Sequence, residues 1–275
     1  MNRGVRTPLS AVLAAWSAIA LPALAEEPRA PIVTAIHPSG NEVPANHLKF
    51  YIRFSRPMRQ GVFLQYCSLH DDRGEEVSEP FRETELWSDD RMRLTLWFHP
   101  GRQKTGVNLN EEFGPVLRAG QKYSLRISGR WPSEDGIALG KDFRKSFRTL
   151  PRATAQLDAN VWRIAPPPAA STAPLTLRFP APLDYALLLR CIRVLDANGK
   201  PLAGIVAVGE REQSWSFSPT HPWDSCEHTL AIDPILEDLA GNSLARPFEL
   251  DLTRLAPRKP PAVVMLHFHP TSVSK

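Results

Sequence analysis

The chain has 275 residues, 43% of them hydrophobic and 23% charged, with 27 Pro, 15 Gly and a formal charge of +4. This composition excludes a disordered polymer and favours short strands joined by many turns. Arg3 and Arg6, an apolar run from Leu9 to Ala23 and the Ala23-Leu24-Ala25 site read as a secretory signal cut before Glu26; without its two arginines the mature chain carries +2, which excludes nucleic acid held by charge.

In chain order, Pro31–His37 alternates as a first strand and ends at the dense turn Pro38-Ser39-Gly40-Asn41. Leu48–Phe54 follows as a strand, stopped by Pro57 because proline cannot donate to a ladder. Asp71-Asp72-Arg73-Gly74 is a hairpin turn, Leu94–Phe98 another strand, and Tyr123–Ile127 a period-two strand. The second half repeats these signals. Residues 50–77 lie on residues 175–202 without a gap, matching Phe54 to Phe179, Pro57 to Pro182, Asp71 to Asp196 and Gly74 to Gly199. Ser214–Phe217 answers Leu94–Phe98, and His228–Ile232 answers Tyr123–Ile127. The closing stretch Arg130–Phe147 lies on Ile235–Leu252, with Gly136 on Gly241, Leu139 on Leu244 and Phe143 on Phe248.

Roughly seven short strands per unit match a small antiparallel sandwich of about 100 residues. The predicted organisation is a signal at 1–25, one Ig-like β-sandwich at 26–150, a second at 155–253, and a tail at 254–275 outside the repeat. The fold class is therefore all-β, two tandem sandwiches. No segment after the signal reaches transmembrane length.

Two features are not explained by the repeat. Between Pro100 and Tyr123 lie 22 residues, but between Pro219 and His228 only 8, so the first unit carries an insertion. Its Arg102, Lys104, Glu111, Glu112 and Phe113 form the candidate partner surface; a cap on the sandwich, built by Val107, Leu109, Phe113 and Val116, is the alternative. The second feature is the cysteines. Cys191 and Cys226 fall in one unit and are candidates for a disulfide, with two separate thiols as the alternative, while Cys67 is expected to stay free.

With these motifs in place, the chain resembles the bacterial Ig-like domains of the SbsA type, which occur in tandem in exported and cell-surface proteins. The resemblance rests on Phe54-Ser55-Arg56-Pro57-Met58, Phe179-Pro180-Ala181-Pro182-Leu183, the Asp196-Ala197-Asn198-Gly199 turn and above all Glu237-Asp238-Leu239-Ala240-Gly241-Asn242-Ser243-Leu244. It implies a scaffold or binding role and transfers no catalytic or ligand residue.

The search for chemistry finds no complete motif. Gly136–Asp142 is one residue too short between its glycines for a phosphate loop and has Asp142 where a hydroxyl belongs; G-x-S-x-G and H-E-x-x-H are absent. Cys67 with His70, Asp71 and Asp72, and His267 with His269, each supply too few metal ligands. The F-S-x-P strand ending is also similar to the periplasmic copper carriers of the copper-resistance C family. In those a His at the mature N-terminus binds copper, whereas this chain would begin Glu26-Glu27-Pro28. Trp131 and Trp223 stand nearest to loops, where an exposed ring would serve a sugar. Arg126, Arg144 and Lys145 are expected on outward strand faces. The expected function is a non-catalytic, exported scaffold or binding module of the periplasm or cell surface, without cofactor, whose partner is an unidentified protein or envelope polymer. The alternative is a periplasmic small-ligand or copper carrier.

Overall fold

The computed structural model describes Met1 and residues 29–103, 108–249 and 262–272. The signal beyond Met1, Lys104 and Val107 of the insertion, residues 250–253 of the second predicted sandwich, and residues 254–261 and 273–275 of the expected tail lie outside the described residues.

The first sandwich is built from β1 (Val33–His37), β2 (Glu42–Pro44), β3 (Lys49–Phe54), β4 (Cys67–His70), β5 (Leu86–Trp87), β6 (Arg93–Trp97), the short helices α1 (Pro100–Gln103) and α2 (Asn108–Phe113), β7 (Lys122–Ile127) and β8 (Phe143–Leu150). The second contains β9 (Arg163–Ala165), β10 (Leu175–Arg178), the one-turn helix α3 (Tyr185–Leu188), β11 (Ile192–Leu195), β12 (Gly204–Val208), β13 (Ser214–Pro219), β14 (His228–Ile232) and β15 (Val264–Phe268). One sheet of the first sandwich runs β1-β3-β6-β5, and its counterpart in the second runs β9-β10-β13-β12. The opposing sheets run β2-β8-β7-β4 and β15-β14-β11. The pairs are antiparallel apart from β2 on β8, which is parallel.

Period-two patterning decides which residues go inside. Along β6, Leu94 and Leu96 point to the core; along β13, Trp215 and Phe217 do. Two separate apolar cores result, one around Phe50, Phe54, Phe98 and Trp131, the other around Leu175, Leu177, Trp215 and Phe217. Each buried ring of this kind contributes about 2–3 kcal/mol of transfer free energy. Trp131 and Trp223 are both buried, so neither offers a platform for a sugar.

The repeat holds at the level of single hydrogen bonds. The bridge from Pro132 to Ala138 is matched by one from Glu237 to Ser243, and the bridge from Met58 to Ser133 by one from Leu183 to Asp238. Gly136 and Gly241 sit at φ +86° and +82°, in the left-handed region that glycine enters without steric cost. The correspondence ends after Ala245. Phe248 does not begin a closing strand; its N–H donates to Asn242 Oδ1 at 3.0 Å, and the chain there turns toward Arg152. The strand that takes the place of β8 is β15, paired with β14 from Ile232↔Val264 to His228↔Phe268. The Val264–Phe268 stretch of the expected tail is thus part of the second sandwich, with Phe268 buried in its core.

The disulfide expectation is also corrected. Cys67, Cys191 and Cys226 are all unpaired, Cys191 buried and Cys226 exposed. The register puts Ile192 opposite Ile232, hence Cys191 opposite Asp233, seven residues from Cys226. At about 3.3 Å per residue that separates them by roughly 20 Å, far beyond disulfide reach.

Candidate functional site

The densest polar chemistry among the described residues lies where the two sandwiches meet. Lys49 on β3 buries its ammonium against two carboxylates of the second sandwich, Asp184 Oδ2 at 3.0 Å and Glu237 Oε1 at 2.6 Å. The Tyr51 hydroxyl donates to both Asp184 oxygens at 2.8 and 2.9 Å, and Asp184 also caps α3 by accepting from Leu187 N–H at 2.9 Å. Asp184 is 2% exposed, so its charge is satisfied by these contacts and not by water. Burial pulls the Lys49 ammonium down, but Asp184 and Glu237 outweigh it and hold its pKa above the ordinary value. Burial raises Glu237, with Lys49 opposing, and burial together with Asp184 raises the Tyr51 phenol.

A second lock sits beside the first. Glu212, buried completely, accepts from Ser39 N–H at 2.9 Å and contacts His37 Nδ1 at 2.7 Å, while the His37 ring stacks on Tyr185 at 3.6 Å. Arg211 and Glu212 hold φ values of +57° and +56°, each a strained conformation for a side chain with a Cβ. The contacts to Ser39 keep them there, since Arg211 N–H also donates to Ser39 Oγ at 3.0 Å.

A third set ties the linker. Asn46 and Asn242, one from each sandwich, donate through Nδ2 to the carbonyl of Ala153 at 2.8 and 3.0 Å, and Arg152 pairs with Glu249. His47 Nδ1 donates to the Leu239 carbonyl at 3.2 Å while its ring packs edge-on against Phe50 and Phe98. Burial, with help from Lys49 and Lys145, lowers its pKa to about 3, so the ring is neutral.

These locks frame a cleft of about 870 Å³. One wall is the Pro38–Glu42 turn with Pro44, the floor is the linker from Leu150 to Ala153, and the other wall carries Ala181, Pro182, Arg211 and Asp238. Arg152 and Arg211 supply cations, Glu42 and Glu210 anions, and the prolines flat apolar surface. That mixture can bind an extended segment through backbone and charge contacts.

The residues singled out from sequence lie elsewhere. Arg102, expected on a partner surface, is buried; its guanidinium donates to the carbonyls of Ser78, Glu79, Phe113 and Gly114 and staples the insertion down. Gln103 Nε2 donates to the His47 carbonyl at 2.7 Å, and Val116 and Leu117 enter the first core, so this part of the insertion is a cap. Glu111, Glu112 and Phe113 do reach the surface, Phe113 at 54% exposure. Lys145, expected outward, is buried and donates to the Ser39 and Gly40 carbonyls at 3.3 and 3.0 Å. Burial lowers its pKa, with Glu212 opposing.

The metal candidates do not assemble. His70 is engaged with Ser68 Oγ at 2.9 Å and the Gly74 carbonyl at 3.0 Å, and the Cys67 thiol is buried, which pushes its pKa up. His267 and His269 flank Glu227 at 3.4 and 3.9 Å. Among the described residues no group of three His, Cys, Asp or Glu is placed to hold an ion. No described helix is long and apolar enough to cross a membrane.

The junction itself went unread in the sequence. Its signal was present only as the non-matching positions of the repeat. In the shared register Lys49 falls on Pro174, Tyr51 on Thr176, Asp184 on Arg59 and Glu237 on Pro132.

No protein-family model matches the chain, and no curated protein matches it. Among solved structures, domains 1–6 of the surface-layer protein SbsC align with 89% of this chain at 8% identity and a TM-score of 0.32. A fragment of Escherichia coli alpha-2-macroglobulin spanning domains MG0-NIE-MG1 aligns with 74% at 9% identity and 0.30, covering 66% of that fragment. The four N-terminal Ig domains of Dscam1 align with 78% at 12% identity and 0.25. This chain spans 41% of the SbsC fragment and 49% of the Dscam1 fragment. Overlaps this loose carry no function across.

Proposed function

We propose that the protein is an exported, non-catalytic binding module of the cell envelope, in which two Ig-like sandwiches act as one rigid body and present the cleft at their junction to a partner. The observation that carries this reading is the buried Lys49–Asp184–Glu237 network, which holds both walls of the cleft in place before anything binds. A preformed site spares its ligand the cost of ordering the walls. The partner is a protein or polymer of the envelope that offers an extended segment. The apolar signal and the Ig-like sandwiches support the export part of the reading. A metal-carrier reading has no assembled ligand set behind it among the described residues.

A photo-crosslinking residue placed at Ala181, in the cleft wall, and at Asn198, in a distant hairpin turn, tests the proposal in the native envelope. The expected result is one adduct from position 181, competed by excess unlabelled protein and lost when Pro182→Trp fills the cleft. Equal adducts from both positions, or an adduct untouched by Pro182→Trp in a folded variant, would overturn it.

A further inference from the structure

The outer face of the β2-β8-β7-β4 sheet carries a charge pattern that works against its own stability. Tyr123, Leu125, Ile127, Phe143 and Phe147 turn from β7 and β8 to the core, so the alternate positions turn outward. There Lys122 stands opposite Arg148 and Arg126 opposite Arg144, with Ser124 opposite Ser146 between the two pairs. Lys122, Arg144 and Arg148 are exposed, Arg126 is half-buried, and none of the four makes an ion pair among the described residues. Arg148 N–H donates away from β7, to the Asn41 carbonyl at 2.8 Å. The facing pairs are therefore the narrow, non-hydrogen-bonded ones, with Cα atoms about 4.5 Å apart. Like charges set directly opposite one another destabilise a sheet.

The fold does not demand these cations. In the shared register Lys122 falls on Glu227 and Arg126 on Ala231, and the strands of the β15-β14-β11 sheet hold a single Lys or Arg, Arg193. A second observation lies at the midpoint of the cationic column. Ser124 is only 5% exposed, and its Oγ is buried with no hydrogen-bond partner. A hydroxyl withdrawn from water and left unpaired carries a cost that a ligand could relieve. Carboxylates return only at the rims of the face: Glu42 on β2, beside Arg148, and Glu76, which bridges to His70 beyond β4. A plane of anions, such as a lipid surface, would meet these rims as well, whereas a narrow chain laid along β7 and β8 would not.

We propose that this face binds an extended acidic peptide segment lying along β7 and β8, with two carboxylates four residues apart. The two cation pairs are themselves four residues apart on each strand, about 13 Å at roughly 3.3 Å per residue. An extended peptide has the same rise and turns every second side chain to the same side, so its residues i and i+4 come over the two pairs. Each carboxylate is received between two cations through charge-assisted hydrogen bonds. The side chain at i+2 comes over Ser124, whose hydroxyl then has an acceptor. None of the four cations lines the cleft at the junction, so this site stands whether or not the cleft takes a partner.

Fluorescence anisotropy of labelled nine-residue peptides with the purified full chain at low salt tests the proposal, with circular dichroism as the check on folding. The peptides alternate Thr and Val; one has glutamates at its third and seventh positions, another at its third and sixth, and a third has glutamines at the third and seventh. The first is expected to bind at least about 10-fold more tightly than either of the others, because the second turns its carboxylates to opposite sides and the third has none. Arg144→Glu sets a carboxylate opposite Arg126, and is expected to weaken binding about 10- to 30-fold while raising the melting temperature, a combination that misfolding would not give. Ser124→Ala is expected to weaken binding about 3- to 5-fold. Arg193→Glu, on the counterpart sheet, should leave affinity within about 2-fold of the parent. Should Arg144→Glu fail to fold, Arg148→Gln, exposed in the other pair, is expected to weaken binding about 5-fold. Equal affinity for the two spacings, binding indifferent to Arg144→Glu, or an equal loss from Arg193→Glu would overturn the proposal. So would a chain that ignores all three peptides; if it then held phosphatidylglycerol vesicles or polygalacturonate, the face would belong to a lipid surface or an anionic polymer instead.

Discussion

The two sandwich cores and the junction between them are held by opposite means. In the cores, side chains such as Phe54 and Leu177 fill space and require only shape. At the junction, Lys49, Asp184, Glu237, Glu212 and His37 meet through charge and hydrogen bonds that tolerate little displacement. The core positions recur in both copies, whereas the junction positions do not. The difference teaches that the repeat supplies the fold and the exceptions supply the assembly. Lys49 has no equivalent lysine in the second unit to continue the docking onto a third, so the contact is specific to this pair.

The sharpest way to break the comparison is Asp184→Ala. It leaves a buried ammonium with one partner, strands the Tyr51 hydroxyl and uncaps α3. We expect a loss of about 3–5 kcal/mol in urea unfolding, as for other buried pairs cut on one side. The transition should split into two as the sandwiches uncouple. Leu177→Ala, a core cavity of comparable cost at about 2–5 kcal/mol, should weaken one sandwich and leave the coupling intact. One cooperative transition in Asp184→Ala would show that the junction does not join the units energetically.

Acid titration separates the regions in a second way. His47 has a folded pKa of about 3 against an ordinary value of 6.5. Below pH 6.5 the unfolded chain therefore binds a proton that the folded chain refuses, and stability falls as pH falls, by about 1.4 kcal/mol per unit down to the folded pKa. At pH 4.5 the loss is on the order of 3 kcal/mol. Glu237 and Asp238, raised by burial, take up protons earlier in the folded state than in the unfolded one and offset part of this near the carboxylate range. Replacing His47 by Gln should flatten the profile between pH 6.5 and 5; an unchanged slope would assign the acid sensitivity elsewhere.

Glu212→Ala is a milder version of the first test. It removes the acceptor for Ser39 and His37, and it releases the hold on two left-handed residues, for an expected loss of about 1–3 kcal/mol by thermal melting. The smallest effect concerns reactivity alone. Burial pushes the Cys191 thiol up to about 11 and raises Cys67 as well, while Cys226 is exposed. A thiol reagent should label one cysteine in the native protein and three after unfolding. One reactive thiol after unfolding would restore the disulfide that the register argues against.

Strand patterning and turn chemistry were legible because they are local: Phe54, Pro57, Gly74 and their counterparts each satisfy a rule within a few residues. The closing strand was misplaced because Phe248 obeys the same local rule as Phe143, yet Asn242 captures its N–H and diverts the chain. Arg102 looked like a surface charge because nothing near it in sequence announces the four carbonyls it reaches. The junction was illegible for a similar reason. Its partners lie far apart in the chain, 133 residues for Tyr51 with Asp184 and 188 for Lys49 with Glu237, and no periodicity spans such a distance.

The late position of β15 has a bearing on how the molecule comes into being. A chain delivered N-terminus first can complete the first sandwich once β8 has emerged near residue 150, but the second must wait with β14 bare along one edge until residue 268 has followed. Over that interval Leu230 and Ile232 have no cover from the final strand. The finished half, with Lys49 and Tyr51 already in place on β3, then offers a template on which the later half can settle as it closes.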